Sequence, residues 1–179
     1  MSNSDLTAWS KRLSTGTIPA PLAVVIASSS LLLPSLMSVP SSPSPNHPRI
    51  MLWYRTLRQP WFKPPDIAIP VAWTAIEAAL AFSSYRLLRS RATAARNNAL
   101  GLMAFNVLMI GGWSTLFFKQ RNLPVSTVAA AAMIVSGTAL TVQATKVDKP
   151  AAVATLPFVA WVTFATVLTA SIWRLNRER

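Results

Sequence analysis

Two kinds of side chain in this sequence can do chemistry in an apolar setting. The first is a lone carboxyl group: Glu77 is the one acidic residue within any of the long apolar runs. A charge at the centre of a bilayer costs roughly 2.5–3.5 kcal/mol on insertion scales, so such a group faces the protein interior, takes a partner or stays protonated. A neutral Glu satisfied by a Ser or Thr of a neighbouring helix is the plainer reading; a ligand contact or a coupled proton is the functional one. The second kind is the indole, which is flat, apolar and oxidisable. Trp53, Trp61 and Trp73 fall with Tyr54 in one stretch, WYRTLRQPWFKPPDIAIPVAW, stiffened by Pro60, Pro64, Pro65 and Pro70. That stretch is either an interfacial aromatic belt, with rings anchored at headgroup level, or a loop that covers a ligand. Trp161 lies well inside an apolar run, where a belt role fits poorly and a pocket wall fits better. Trp173, beside Arg174, reads as belt.

Conventional catalytic sets are missing from the sequence. It has no paired carboxylates, no Ser/His/Asp set, no glycine-rich phosphate loop and no metal-ligand spacing. There are no Cys, hence no disulfide, thiolate ligand or Cys nucleophile, and the one His, His47, sits in a Pro/Ser segment. Ligand binding is favoured over ordinary enzymology, with no metal expected.

The elements that must position these groups are helices in a membrane. The 179 residues are 52% hydrophobic and 12% charged, with mean hydropathy +0.39, whereas soluble domains are about a quarter charged. Residues 18–39, 67–85, 99–118, 125–142 and 151–173 lack Lys and Arg. Each is long enough to span, at about 17–25 residues per helix. None alternates with the period of barrel strands, so they are expected to be helices. The expected fold is an all-α integral membrane protein: a polar tail over 1–17, then a five-helix domain over 18–177. The first run could also serve as a signal peptide with Lys11 and Arg12 ahead of it. Its length and the lack of an A-x-A site favour a first span. Pro34 should kink or end that run, and Pro157 should kink the last one. Within 40–66 the sequence predicts flexible coil over SSPSPNHP and a short surface helix over WYRTLRQPWFKPP. The net charge of +12 suits anionic headgroups beside the connections rather than nucleic acid. Basic residues divide eight against nine between the two sides, so orientation stays open.

Helical spacing groups the candidates. Trp73, Glu77, Leu80 and Ser84 share one face, as do Asn106, Ile110, Trp113 and Phe117, and Phe158, Trp161, Ala165, Leu168 and Ile172. Asn106 reads first as interhelical glue, since such amide bonds contribute about 0.6–2 kcal/mol in membranes. Small faces including Gly111, Gly112, Ala130 and Ser136 suit close helix approach, within one bundle or in a homodimer.

Several strings together resemble the TspO/MBR family of tryptophan-rich membrane proteins. They are Trp53-Tyr54-x-x-Leu57-x-x-Pro60, then Pro64-Pro65 and Pro70-Val71-x-Trp73-Thr74; Asn106 with Trp113-Ser114-x-Leu116-Phe117-Phe118; and Pro157-x-x-x-Trp161-x-x-Phe164-Ala165-Thr166 with Trp173-Arg174-x-Asn176. The resemblance covers roughly residues 18–177. It implies five packed helices with a pocket capped by the first loop. It implies a porphyrin ligand, such as protoporphyrin IX or haem, or another aromatic small molecule. Carried over by motif, Trp53, Tyr54, Trp73, Asn106, Phe158, Trp161 and Phe164 would line the pocket, with Glu77 and Trp113 on the same helix faces. Some bacterial members are associated with light-dependent porphyrin breakdown, which would make Trp161 an electron donor.

The sequence departs from the family pattern at three places. Phe158 stands where the family usually has Tyr after the helix-five Pro. Glu77 replaces a residue that is commonly apolar or aromatic. No Tyr lies between Val167 and Arg174, so the sterol pattern is broken. The FKPPD and RLNRER strings resemble the bacterial branch, which points to a bacterial envelope rather than an outer mitochondrial membrane. A competing reading is a small cation transporter with Glu77 as its proton carrier.

Overall fold

A computed structural model describes residues 16–178. Lys11, Arg12 and most of the polar tail lie outside the described residues. Among the described residues the chain is helical and without strands. The helices are α1 (Ala20–Ser38), α2 (Pro48–Thr56), α3 (Ala68–Arg89), α4 (Ala94–Ser114), α5 (Leu123–Thr145) and α6 (Lys149–Asn176). A 3-10 turn, Val39–Ser41, extends α1, and a π turn, Thr115–Lys119, extends α4.

Local chemistry sets the helix starts. Thr93, Asn122 and Asp148 cap α4, α5 and α6, their side-chain oxygens accepting from Arg96 N, Val125 N and Ala151 N at 3.2, 3.1 and 2.8 Å. Pro21, Pro124 and Pro150 stand in first turns, where a missing amide donor is harmless. The C-terminal end of α3 is closed from outside the helix: buried Arg96 donates from Nε to Leu87 O and from Nη2 to Leu88 O, both at 3.2 Å. Pro34 does not end α1, and Pro157 lies within a continuous α6. The short surface helix occurs, but as Pro48–Thr56; from Leu57 the chain runs mostly non-helical to Ala68.

Among the described residues four helical segments are long and apolar enough to cross a membrane: Ala20–Ser41, Ala94–Lys119, Leu123–Thr145 and Lys149–Asn176. The sequence reading counted five. α3 has 22 residues, but Glu77, Ser83 and Ser84 on its buried face and Arg86 and Arg89 near its end lower its hydropathy.

The five long helices close into a ring in the order α1, α3, α6, α5, α4. Ile76 and Leu80 of α3, Met103 and Val107 of α4, Met133 of α5 and Phe158 and Val162 of α6 fill its centre. The outer surface is apolar as well: Leu22, Val25, Leu36, Val128, Val135 and Val153 are each at least half exposed. Apolar residues outside as well as inside suit a lipid surround.

Each neighbouring pair in the ring also carries a polar cross-link. Ser35 donates to Glu77 Oε2 at 2.9 Å between α1 and α3. Arg86 Nε and Nη2 reach the two Asp148 oxygens at 2.7 and 2.8 Å between α3 and the start of α6. Thr141 and Thr155 pair at 2.7 Å between α5 and α6. Ser136 donates to Asn106 Oδ1 at 2.7 Å between α5 and α4. Ser41 and Thr115 pair at 3.0 Å where α1 and α4 extend toward the loop.

Small residues let these helices touch. A Cβ at Gly137 would lie 2.8 Å from the Phe158 ring, and one at Gly111 would lie 2.6 Å from Met37 Cβ. Ala130 and Ser136 are also buried within the chain. Of the four small residues named for a second copy, only Gly112 is in open space, with nothing within 4 Å of an added Cβ.

Two outcomes test this packing. Gly137→Ala gains helix propensity of up to about 1 kcal/mol but overpacks a closed contact, which typically costs about 1–3 kcal/mol. Net destabilisation is expected in thermal unfolding, while Gly112→Ala is neutral or stabilising. The second outcome concerns acid. The Arg86 guanidinium chiefly holds the Asp148 carboxyl below its ordinary value; burial opposes this and the Ala151 amide assists it. A depressed native pKa means stability that is present above the unfolded value of about 3.9 and lost as pH falls through the lower native value. Asp148→Asn keeps the cap, so its stability deficit relative to wild type should be constant near neutrality and shrink below about pH 4.

Candidate functional site

The loop end of the bundle is closed by aromatic rings in two groups. In the first, Trp113 stacks on Phe117 at 4.9 Å between centroids, 20° between planes. Trp53 and Tyr54 of α2 meet Phe117 edge-on at 6.0 and 6.4 Å, and Tyr54 meets Phe118 at 5.5 Å. Adjacent residues of an α-helix point in different directions. The π turn Thr115–Lys119 brings both Phe117 and Phe118 against the loop, consistent with the use of such turns at functional places. The chain leaves this turn through Arg121 at φ 56°, an uncommon value outside glycine. Trp113 is fixed by its indole N–H, which donates to Ser126 O at 2.8 Å.

The second group joins α3, α6 and the loop. Trp73 meets Trp161 edge-on at 6.3 Å, Trp161 lies 5.5 Å from Phe164, and Phe62 reaches down from the loop to Phe164 at 6.3 Å. Trp161 Nε1 is buried without a hydrogen-bond partner among the described residues. An unpaired buried donor costs on the order of 1–3 kcal/mol.

Around the rings stand basic groups. Arg121 lies 5.3 Å from the Trp53 ring centre, and Lys63 lies 5.4 Å from that of Tyr54 while pairing with Asp66. Burial raises the Tyr54 hydroxyl above its ordinary value, against the opposing charge of Lys63. Burial alone would lower Lys63, but the Asp66 bond prevails and its ammonium is held more firmly than usual. The loop is tied to α6 by a reciprocal clamp: Arg58 N donates to Asn176 Oδ1 at 3.0 Å, and Asn176 Nδ2 donates to Arg58 O at 2.9 Å.

The residues singled out in the sequence therefore fall into three places. Trp53, Tyr54 and Trp113 form one aromatic group; Trp73, Trp161 and Phe164 form the other. Asn106, Phe158 and Glu77 lie in the buried interior. Asn106 is fully buried between Ser136 and the Leu102 carbonyl. Phe158 is fully buried against Gly137. Glu77, 6% exposed, turns toward Ser35 of α1. Sequence reasoning left Phe62, Phe117, Phe118 and Arg121 out of the site; the Phe117-Phe118 doublet next to a charged turn was the available signal. Trp61 points away and is 95% exposed.

This is a polytopic helical membrane protein whose aromatic side chains converge under one loop. The TspO/MBR family model matches residues 22–174, and the chain belongs to that family. It is an integral, multi-pass membrane protein. It is similar to a tryptophan-rich sensory protein of Cereibacter sphaeroides, at 28% identity over 71% of this chain and 78% of that one. It is similar to protein CrtK of Rhodobacter capsulatus, at 30% identity over 69% and 78%. It is also similar to the translocator protein of Ovis aries, at 26% identity over 71% and 76%.

The clamp makes a direct prediction. Asn176→Ala removes both bonds to the loop backbone. At about 1 kcal/mol for a net hydrogen bond, amide exchange across residues 57–63 should rise roughly fivefold or more. Unchanged exchange there would show that the aromatic contacts alone hold the loop.

Proposed function

We propose that this protein binds a tetrapyrrole, protoporphyrin IX or haem, at the loop end of the bundle, and serves porphyrin handling, sensing or regulation. In this reading all five long helices cross the bilayer and the loop from α2 to α3 is the cap. The observation that carries the reading is the Trp73–Trp161–Phe164 group lying directly beneath Phe62 of the loop. A flat macrocycle stacks on such faces. Its propionates would find Arg121 at the rim, and an acceptor on the ligand would satisfy Trp161 Nε1. The rings already touch one another, edge-on or tilted, so entry of a macrocycle requires the Phe62 segment to lift. Light-dependent porphyrin breakdown is a further part of the proposal, with Trp161 passing an electron to the photoexcited ring. The family's bacterial relatives support a bacterial envelope as the location. A homodimer is also proposed, through outward faces that include Gly112.

Porphyrin-dependent quenching of Trp fluorescence is the test. Trp73→Ala should weaken affinity about fivefold or more, since one stacking face contributes on the order of 1 kcal/mol. Trp161→Phe should retain most binding yet slow any conversion under light. Titration curves unchanged in Trp73→Ala would remove this group from the site. Equal light-driven conversion by wild type and Trp161→Phe would leave Trp161 as a wall only.

A second reading, cation transport with a proton on Glu77, rests on the burial of that carboxyl. Its one hydrogen-bond partner is the Ser35 hydroxyl, and no cation pairs with it among the described residues. If Glu77 carries the proton, Glu77→Gln abolishes pH-coupled transport in vesicles. If it only braces α1 against α3, Gln preserves function and Glu77→Leu lowers stability.

A further inference from the structure

Outside the aromatic groups, the same end of the molecule carries a hollow of about 360 Å³ lined by Arg58, Arg174, Leu175, Arg177 and Glu178. Three guanidiniums face it against one carboxylate. The Arg58 and Arg174 side chains make no ion pair among the described residues, and the Arg177–Glu178 pair is loose at 3.9 Å with both side chains largely exposed. The hollow is assembled from two parts of the chain. Arg58 comes from the loop and the others from the end of α6, and the Asn176 clamp holds the two together.

Planar guanidinium forks match phosphate oxygens in geometry and charge. The wall is not wholly polar, however. Leu175 lines it at 44% exposed, at the end of a helix long and apolar enough to cross the membrane. A dissolved phosphate would have no use for that apolar edge. A ligand with a phosphate and acyl chains meets both surfaces. Three arginines also disfavour a choline or ethanolamine cation next to the phosphate.

We propose that this hollow binds the headgroup of an anionic phospholipid, with the acyl chains running down α6 from Leu175. Because Arg58 belongs to the loop and Arg174 and Arg177 to α6, the phosphate bridges the cap to the bundle beside the Asn176 clamp. Occupancy therefore fastens the loop from outside, and the lipid composition of the membrane regulates how readily the cap lifts. Cap function rests on the preceding proposal; the lipid site itself does not.

The test uses the full chain in detergent without porphyrin. It is titrated with short-chain phosphatidylglycerol, with phosphatidylcholine of the same chains, and with inorganic phosphate, and binding is read by native mass spectrometry and by the thermal unfolding midpoint. Saturable binding of phosphatidylglycerol is expected, tenfold or more tighter than phosphatidylcholine, with little effect of phosphate alone. The double variant Arg58→Ala/Arg174→Ala should lose at least tenfold in affinity, while Arg58→Lys/Arg174→Lys, which keeps the charge but not the forks, should recover part. Lys146→Ala, at the opposite end, should bind as wild type. Equal binding of the two lipids, or full affinity in the double alanine variant with its helicity intact, overturns the proposal. If inorganic phosphate binds as tightly as the lipid, the hollow is a free-anion site and the lipid assignment fails. Porphyrin quenching is measured separately, so its failure would leave this result standing.

Discussion

Inside a bilayer a polar side chain finds no water, so each hydroxyl, amide or carboxyl must be satisfied by the protein itself. The arrangement of this molecule depends on that constraint. Ser35–Glu77, Arg86–Asp148, Thr141–Thr155, Ser136–Asn106 and Ser41–Thr115 join the five helices around the whole ring, one pair at each contact. The pairs within the spans are individually weak, since interhelical hydrogen bonds in membranes average well under 2 kcal/mol; Arg86–Asp148 is a bidentate, charge-assisted pair at the end of the bundle. Their effect is on register: each pair is satisfied at one rotation and one height of its two helices. Close packing at Gly137 and Gly111 then becomes possible.

The loop end follows different physics. Its closure is made by aromatic edges and by one side-chain clamp rather than by interior polar pairs. Edge-on aromatic contacts contribute about 0.5–1.5 kcal/mol beyond their buried area, which holds the loop against the bundle. Trp73 and Trp161 meet across α3 and α6, while the segment carrying Phe62 runs from α2 to α3 and is tied to α6 through Asn176 and through Phe62 against Phe164. Under the proposed function, that division suits a site that opens for a flat, bulky ligand. Among the described residues the interior rule is broken at Trp161 Nε1 and at Ser83 Oγ, and a ligand acceptor would restore it at Trp161.

Much of the fold was legible in the sequence, because membrane helices announce themselves by composition. The five helices lie within a few residues of the five runs free of Lys and Arg. The α3 segment was the least secure for a physical reason: its buried face carries Glu77, Ser83 and Ser84, and a face that binds its neighbours through polar groups reads as less apolar. Asn106 as interhelical glue and Glu77 beside a hydroxyl were among the readings open at the outset. Their partners, Ser136 and Ser35, depend on helix order, which no periodicity reveals. The π turn was not legible either, because one extra residue per turn leaves no mark on hydrophobic spacing. It decides, though, that Phe117 and Phe118 both join the site. At Pro34, where the sequence left a kink or an end open, the helix does not end.

The central claim is that a tetrapyrrole sits beneath the loop, at the end of the bundle where the rings converge. Amide hydrogen exchange on the full chain in lipid nanodiscs, with and without protoporphyrin IX, tests it most directly. The account predicts protection of residues 57–67, of the start of α3 near Trp73 and of the middle of α6 around Trp161 and Phe164, with no change across 90–93 and 146–148 at the far end. Protection confined to the far end, or none at a saturating porphyrin concentration, would contradict it.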